Sequence, residues 1–320
     1  MSYDDPYRDS YRDISVHKMM LTDVVRTEAY ERAIKAIVTP GSKVMDFGCG
    51  TGVLSIFASR SGADMVYAVD RSAFISQAKA IAKTNGIDNI RFYHDDHETL
   101  ALPEKVDIIV SEWMGHFIFY EAMLEPLIML RKRFLKEGGK LIPNRIRFIA
   151  GFVKDRTFYE ELAFFRTNPY GIDFSPVAEA PFFQSNLEFF TPSQISKTIV
   201  DLGEMDLYTV ETTPDAMTGK VVPKKKETVY GLCGWFSAEL TEDIHLGTGP
   251  NDPPTHWNQI FFPLKKPLRL VPEREVTVTF RPPVGKDYSW CWTVSDGETL
   301  IQMDDFYPFE HEDRQGLLTD

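Results

Sequence analysis

The sequence predicts an α/β fold, with a parallel, doubly wound half followed by a mostly β half. Three observations carry this. Residues 43–70 read as strand, glycine turn, helix, strand and terminal acid, which is one βαβ unit. Residues 106–110 (VDIIV) form an apolar run of the kind a strand covered on both faces requires. Past Pro143 the helical periodicity gives way to short strands set between turn signals. A division is expected between residues 143 and 144. N-terminal helices and a Rossmann-like sheet would occupy 1–143, and a sandwich or barrel-like β domain 144–320.

The elements follow in order. Tyr3, Tyr7 and Tyr11 recur at a spacing that would line one helix face. Residues 15–37 read as one helix, because His17, Met20, Leu21, Val24 and Val25 recur at helical spacing. Arg26 lies near that stripe and reads by itself as an ordinary surface arginine. Pro40-Gly41 breaks the helix. The strand VMDF then runs into Gly48, Gly50 and Gly52, whose freedom lets the backbone turn tightly against a ligand. A helix is expected at 53–60 and a second strand at 65–69. Asp70 follows Gly48 by the roughly 20 residues at which such units read a ribose. Val53 stands where a third dinucleotide-type glycine would be, which favours a nucleoside ligand without pyrophosphate.

A helix at 73–85 and a strand at 90–93 come next. The run His94-Asp95-Asp96-His97-Glu98 invites a metal reading, but no further cluster completes a site, so no metal is expected. Glu98, near the third strand's carboxyl end, suits an adenine amino group. A helix at 123–134 is expected to end at Gly138-Gly139. In the second half 145–153 reads as strand and 158–166 as helix. The Phe- and Pro-rich stretch to 190 reads as an exposed arm for a partner.

Composition narrows the function. The 320 residues are 43% hydrophobic and 26% charged, as in globular chains. No apolar run is long enough to cross a membrane, and the polar N-terminus is unlike a secretory signal. Three scattered cysteines give no metal pattern and suit a reducing, cytoplasmic setting, with the nucleus also open. A net charge of −12 opposes nucleic acid as a main partner and favours basic peptides.

The chemistry concentrates in VSEWMGHFIFYEAML. Glu112 and Glu121 lie at the two ends of one aromatic loop, just past the fourth strand. Ligands of open α/β sheets bind outside the carboxyl ends of strands. Two carboxylates there suit a planar cation with several donors, such as a guanidinium. His256 can move a proton near neutral pH, and Trp257 beside it can stack on a cation.

Taken together, VMDFGCGTG, SEWMGHFIFYEAML, THW and the N-terminal YRDSYRDISVHKMMLTDVVRT resemble the protein arginine N-methyltransferase family over almost the whole chain. The resemblance implies a Rossmann-like methyltransferase domain, a barrel-like substrate domain and a helical dimerisation arm at about 156–190. It implies S-adenosylmethionine as cofactor, over Gly48, Gly50 and Gly52. Arg26 would bind its carboxylate with His17 nearby, Asp70 its ribose and Glu98 its adenine. Glu112 and Glu121 would clamp the substrate guanidinium, with His256 and Trp257 completing the pocket. Tyr11, Met20 and Met123 would line it, and the methionines lean towards asymmetric dimethylation. A homodimer acting on arginine in a protein or peptide is implied; free arginine or a small guanidino compound is the rival substrate, and a non-catalytic scaffold a remote one. Departures from the family pattern are Asp70 for glutamate, His116 for tyrosine, Arg8 for an aromatic residue, and Lys18 and Met19 for an acidic pair.

Overall fold

The structure is a computed structural model that describes residues 13–283 and 289–305. Tyr3, Tyr7, Arg8 and Tyr11 lie outside the described residues.

Five strands form a wholly parallel sheet: β1 (Lys43–Phe47), β2 (Met65–Asp70), β3 (Ile90–His94), β4 (Val106–Val110) and β5 (Leu135–Ile142). Their order is β3-β2-β1-β4-β5, so the winding reverses between β1 and β4. That reversal opens a crevice at the strands' carboxyl ends, the place where such sheets bind ligands. The apolar runs predicted as strands are buried along their length, as a doubly covered sheet requires.

The first half departs from the sequence pattern at two places. Residues 15–37 form two helices, α1 (Ile14–Thr22) and α2 (Val24–Ile37), rather than one. Asp23 divides them by capping α2, its Oδ1 accepting from the Arg26 amide at 2.9 Å. The helix Leu124–Phe134 does not run on to the glycine pair. It passes directly into β5, and Gly138 and Gly139 fall in the part of β5 where its register against β4 shifts. The helices α3 (Val53–Arg60), α4 (Ile75–Thr84) and α5 (Leu124–Phe134) complete this half.

The second half holds two antiparallel sheets. One has the order β7 (Asn186–Glu188), β12 (Gln259–Leu270), β10 (Glu227–Thr241), β6 (Arg145–Val153), β8 (Ile195–Asp206), with β11 (Ile244–Gly247) on β10; the other is β15 (Leu300–Asp304), β14 (Cys291–Ser295), β13 (Val276–Arg281), β9 (Met217–Val221). Among the described residues the strand ladder does not close into a barrel. The sheets instead face a shared aromatic core, and the Trp292 indole of β14 (Cys291–Ser295) donates to the Pro263 carbonyl of β12 (Gln259–Leu270) at 2.8 Å. The arm begins with α6 (Thr157–Leu162) and continues as 3-10 turns rather than as one helix to 166. Asn168 and Tyr170 take left-handed conformations that stop a regular helix. The halves are stitched through α5, where Arg131 donates to the Leu207 carbonyl at 2.6 Å, and through Leu141, whose amide donates to the Tyr208 hydroxyl.

Candidate active site

The site forms where the ends of β1, β2 and β4 meet α1, α2 and a loop of the β half. At the end of β1, Gly48, Gly50 and Gly52 all have positive φ (78°, 51° and 76°), which L side chains rarely adopt. The turn is pinned to β2: the Gly48 amide donates to the Val69 carbonyl, and the Gly50 amide to Asp70 Oδ2 at 2.8 Å. Asp70 Oδ1 accepts from the Ser72 amide, so its short side chain is held against the turn. His17 of α1 covers Gly50 so closely that a Cβ there would lie 3.4 Å from the imidazole, and its ring packs on Phe74 at 3.8 Å, tilted by 31°. The Met123 methyl comes as near to Gly48, so Met123 faces the turn.

Asp46 precedes the turn and was not singled out by the sequence reading. It is buried, Ser55 donates to its Oδ2 at 2.5 Å, and Oδ1 has no hydrogen-bond partner among the described residues. Burial pushes its carboxyl up to about 7, against the Ser55 hydroxyl and with help from Asp70. The signal in the sequence was an acid inside an apolar strand, a residue almost never buried without a partner.

Arg26 is buried rather than on the surface. Its guanidinium meets Glu112 at 2.6 Å, while its Nε has no partner among the described residues. Glu112 also accepts from the Met114 amide at 3.1 Å. A carboxylate accepts about four hydrogen bonds, so this one keeps capacity for another donor. Glu121 returns to the same region: its Cγ would lie 2.8 Å from a Cβ on Gly115, so only glycine leaves room for it. Glu112, Glu121, Asp46 and Arg26 all act on the buried hydroxyl of Tyr30. Burial pushes that hydroxyl well up, the three acids add to the shift, and Arg26 opposes them. Tyr30 itself donates to the Ser111 carbonyl.

The loop between the glutamates is strained. Phe117, Ile118 and Ala122 have positive φ (53°, 83° and 51°) around the 3-10 turn Phe119–Glu121. Apolar anchoring holds it, with Phe119 stacked on Phe148 at 5.5 Å and Phe117 set 5.1 Å from Trp290.

His256 arrives from the β half. Its Nδ1 lies 2.7 Å from Asp23 Oδ2, and its amide donates to the same oxygen. A carboxylate only accepts, so Nδ1 carries hydrogen and a neutral His256 has its lone pair on Nε2. Burial pushes the Asp23 carboxyl up, but the imidazole and the two amides more than offset this and hold it below its ordinary value. Asp23 was hidden in the sequence because it fell within an unbroken helical stripe. The signal it offered was its N-cap preference. A cavity of about 420 Å³ beside this pair is lined by Met19, Val24, Thr255 and His256 among others.

The remaining candidates sit as follows. Trp257 is buried, 2% exposed, packed on Phe236 and His256, so it braces the loop and offers little face to a ligand. His116 donates from Nδ1 to the Trp257 carbonyl at 3.1 Å, tying the glutamate loop to this one. Burial holds His116 below its ordinary value, opposed by that carbonyl and assisted by His256. Met20 is half-buried on α1. Glu98 is exposed, on a loop fastened by Arg133 through the His97 and Glu98 carbonyls. No group of His, Cys, Asp and Glu among the described residues could hold a metal ion.

Residues 38–188 match the model of a methyltransferase domain, and 146–289 that of the arginine methyltransferase oligomerization subdomain. Protein arginine N-methyltransferase 1 of Schizosaccharomyces pombe is 34% identical over 292 residues, 88% of this chain and 86% of that one. The chain belongs to the protein arginine N-methyltransferase family. Among solved structures, the Trypanosoma brucei PRMT1 enzyme-prozyme heterotetrameric complex with AdoHcy superposes with a TM-score of 0.84 at 30% identity. The match covers 92% of this chain and 98% of that one. Arabidopsis thaliana protein arginine methyltransferase 10 shares the fold at a TM-score of 0.79 and 24% identity, over 94% of this chain and all of that one. The double-glutamate loop and the glycine turn thus belong to a methyltransferase of this family.

Proposed function

We propose that the chain transfers a methyl group from S-adenosylmethionine to an arginine guanidinium in a protein or peptide, held between Glu112 and Glu121. The observation that carries this reading is the buried Arg26–Glu112 pair, which stands between a glycine turn suited to the cofactor and a loop that returns Glu121 to the same place.

The residues present fit the cofactor. Asp46 Oδ1 and Arg26 Nε are buried without partners among the described residues, one suited to an ammonium and the other to a carboxylate. When bound, the cofactor supplies a methyl group already activated on a sulfonium. Arg26 would touch both the cofactor's carboxylate and Glu112, so a filled cofactor site fixes one half of the clamp. Glu112 and Glu121 hold the guanidinium on two sides and draw its positive charge towards the paired nitrogens. The remaining nitrogen is left more nucleophilic and aimed in line, and such orientation offsets roughly 7–11 kcal/mol of a barrier. A free guanidinium loses its proton only above a pKa of about 12, so the proton leaves as the bond forms. It can pass to Glu121 or to Nε2 of His256, whose other nitrogen is committed to Asp23.

A peptide substrate, rather than free arginine, is supported by the family and by the acidic balance of the chain. Glu121→Gln should lower turnover a hundredfold or more while cofactor affinity, read by calorimetry, stays within about twofold. Equal loss of cofactor affinity would count against the assigned role.

A further inference from the structure

Glu121 stands on a strained turn, closed by the Ile118 amide donating to the Gly115 carbonyl at 2.8 Å and the Ala122 amide to the Phe119 carbonyl at 3.3 Å. Ile118 and Ala122, on either side of Phe119–Glu121, both have positive φ (83° and 51°), which side-chain-bearing residues rarely adopt. Such conformations persist only where the surroundings over-determine them. Phe117 and Phe119 provide the apolar part of that restraint. Polar restraint comes from His116, bonded to the Trp257 carbonyl, and, next to Glu121 itself, from Tyr120.

The Tyr120 hydroxyl lies 3.2 Å from Ser185 Oγ, at the base of the arm just before β7 (Asn186–Glu188). Ser185 Oγ lies 2.8 Å from Asp305 Oδ2, past the end of β15 (Leu300–Asp304). The same carboxylate accepts from the Ser185 amide and, at 3.0 Å, from the Trp290 amide. A carboxylate gives no hydrogen, so the Ser185 hydroxyl donates to Asp305 and its oxygen is left to accept. Tyr120 is therefore the donor to Ser185, and the chain has one direction: Tyr120 O–H to Ser185, Ser185 O–H to Asp305. Burial pushes the Tyr120 hydroxyl up to about 12, with Ser185 opposing, so it keeps its proton at neutral pH.

We propose that Ser185 and Asp305 are positioning residues for Glu121, acting through Tyr120. The base of the arm and the end of the last described strand then set the second carboxylate of the clamp. This rests on the reading of Glu121 as a clamp carboxylate.

The test is steady-state methyl transfer to an arginine peptide, with cofactor calorimetry and thermal melts, on Tyr120→Phe, Ser185→Ala, Ser185→Thr and Glu121→Gln. Tyr120→Phe keeps the ring and Ser185→Thr keeps the hydroxyl, so neither removes the packing. The expected result is a kcat lowered roughly ten- to a hundredfold in Tyr120→Phe and Ser185→Ala, with cofactor affinity within about twofold and recovery in Ser185→Thr. Wild-type kcat in both, beside an inactive Glu121→Gln, overturns the proposal and leaves the clamp standing. So does a loss shared by kcat, cofactor affinity and melting temperature that Ser185→Thr does not restore. An active Glu121→Gln removes the clamp reading itself.

Discussion

Gly115 shows how single residues set the chemistry. Its φ is unexceptional, and its importance lies in the Glu121 side chain that occupies the place of a Cβ. Gly115→Ala should leave the fold intact, displace Glu121 and lower kcat roughly tenfold or more, read at saturating cofactor. An unchanged kcat would mean that Glu121 needs no fixed position. Asp46 makes a pH-dependent prediction. Its folded pKa, about 7, lies above the ordinary carboxyl value near 3.9. The stability it contributes is therefore full below pH 4 and lost as pH rises through about 7. A cofactor ammonium pairs with the ionised form, so the melting-point shift on adding cofactor should grow from pH 6 to pH 8. Asp46→Asn should flatten that growth. The same growth in Asp46→Asn would assign it to another group.

At the scale of elements, Asp23 divides two helices, caps the second and holds His256. Asp23→Asn can still cap, since asparagine and aspartate cap about equally well, but it loses the charge beside the imidazole. Melting temperature should change little, while kcat falls about tenfold or more. An unchanged kcat would show that His256 handles no proton. The sequence made the strands and glycine turn legible because apolar runs and glycines report backbone directly. The break at Asp23 was masked by the apolar stripe that runs across it, and its pairing with His256 was not legible because that partner comes from far along the chain. Arg26 was ambiguous for the same reason: nothing near it in sequence shows that Glu112 comes to meet it. The direct run from α5 into β5 escaped because the glycine pair imitates a helix stop.

For the whole molecule, the parallel sheet supplies the floor of the site and the β half its wall, with His116, Trp257 and the aromatic loop joining them. The arm exposes Phe164, Tyr170 and Ile172, with Tyr170 95% exposed, within a stretch that overlaps the oligomerization subdomain. We expect two chains to pair through it. Tyr170→Asp with Ile172→Asp should convert a dimer to a monomer in light scattering without loss of secondary structure by circular dichroism. An unchanged mass would place the contact elsewhere. The proposed chemistry depends on the two carboxylates clamping a peptide-borne guanidinium. The most direct measurement is transfer of labelled methyl from S-adenosylmethionine to an Arg/Gly-rich peptide and, in parallel, to free L-arginine, using wild type and Glu121→Gln. The expected result is label in the peptide with wild type alone and none in free arginine. Label confined to free arginine, or equal labelling of the peptide by Glu121→Gln, would contradict it.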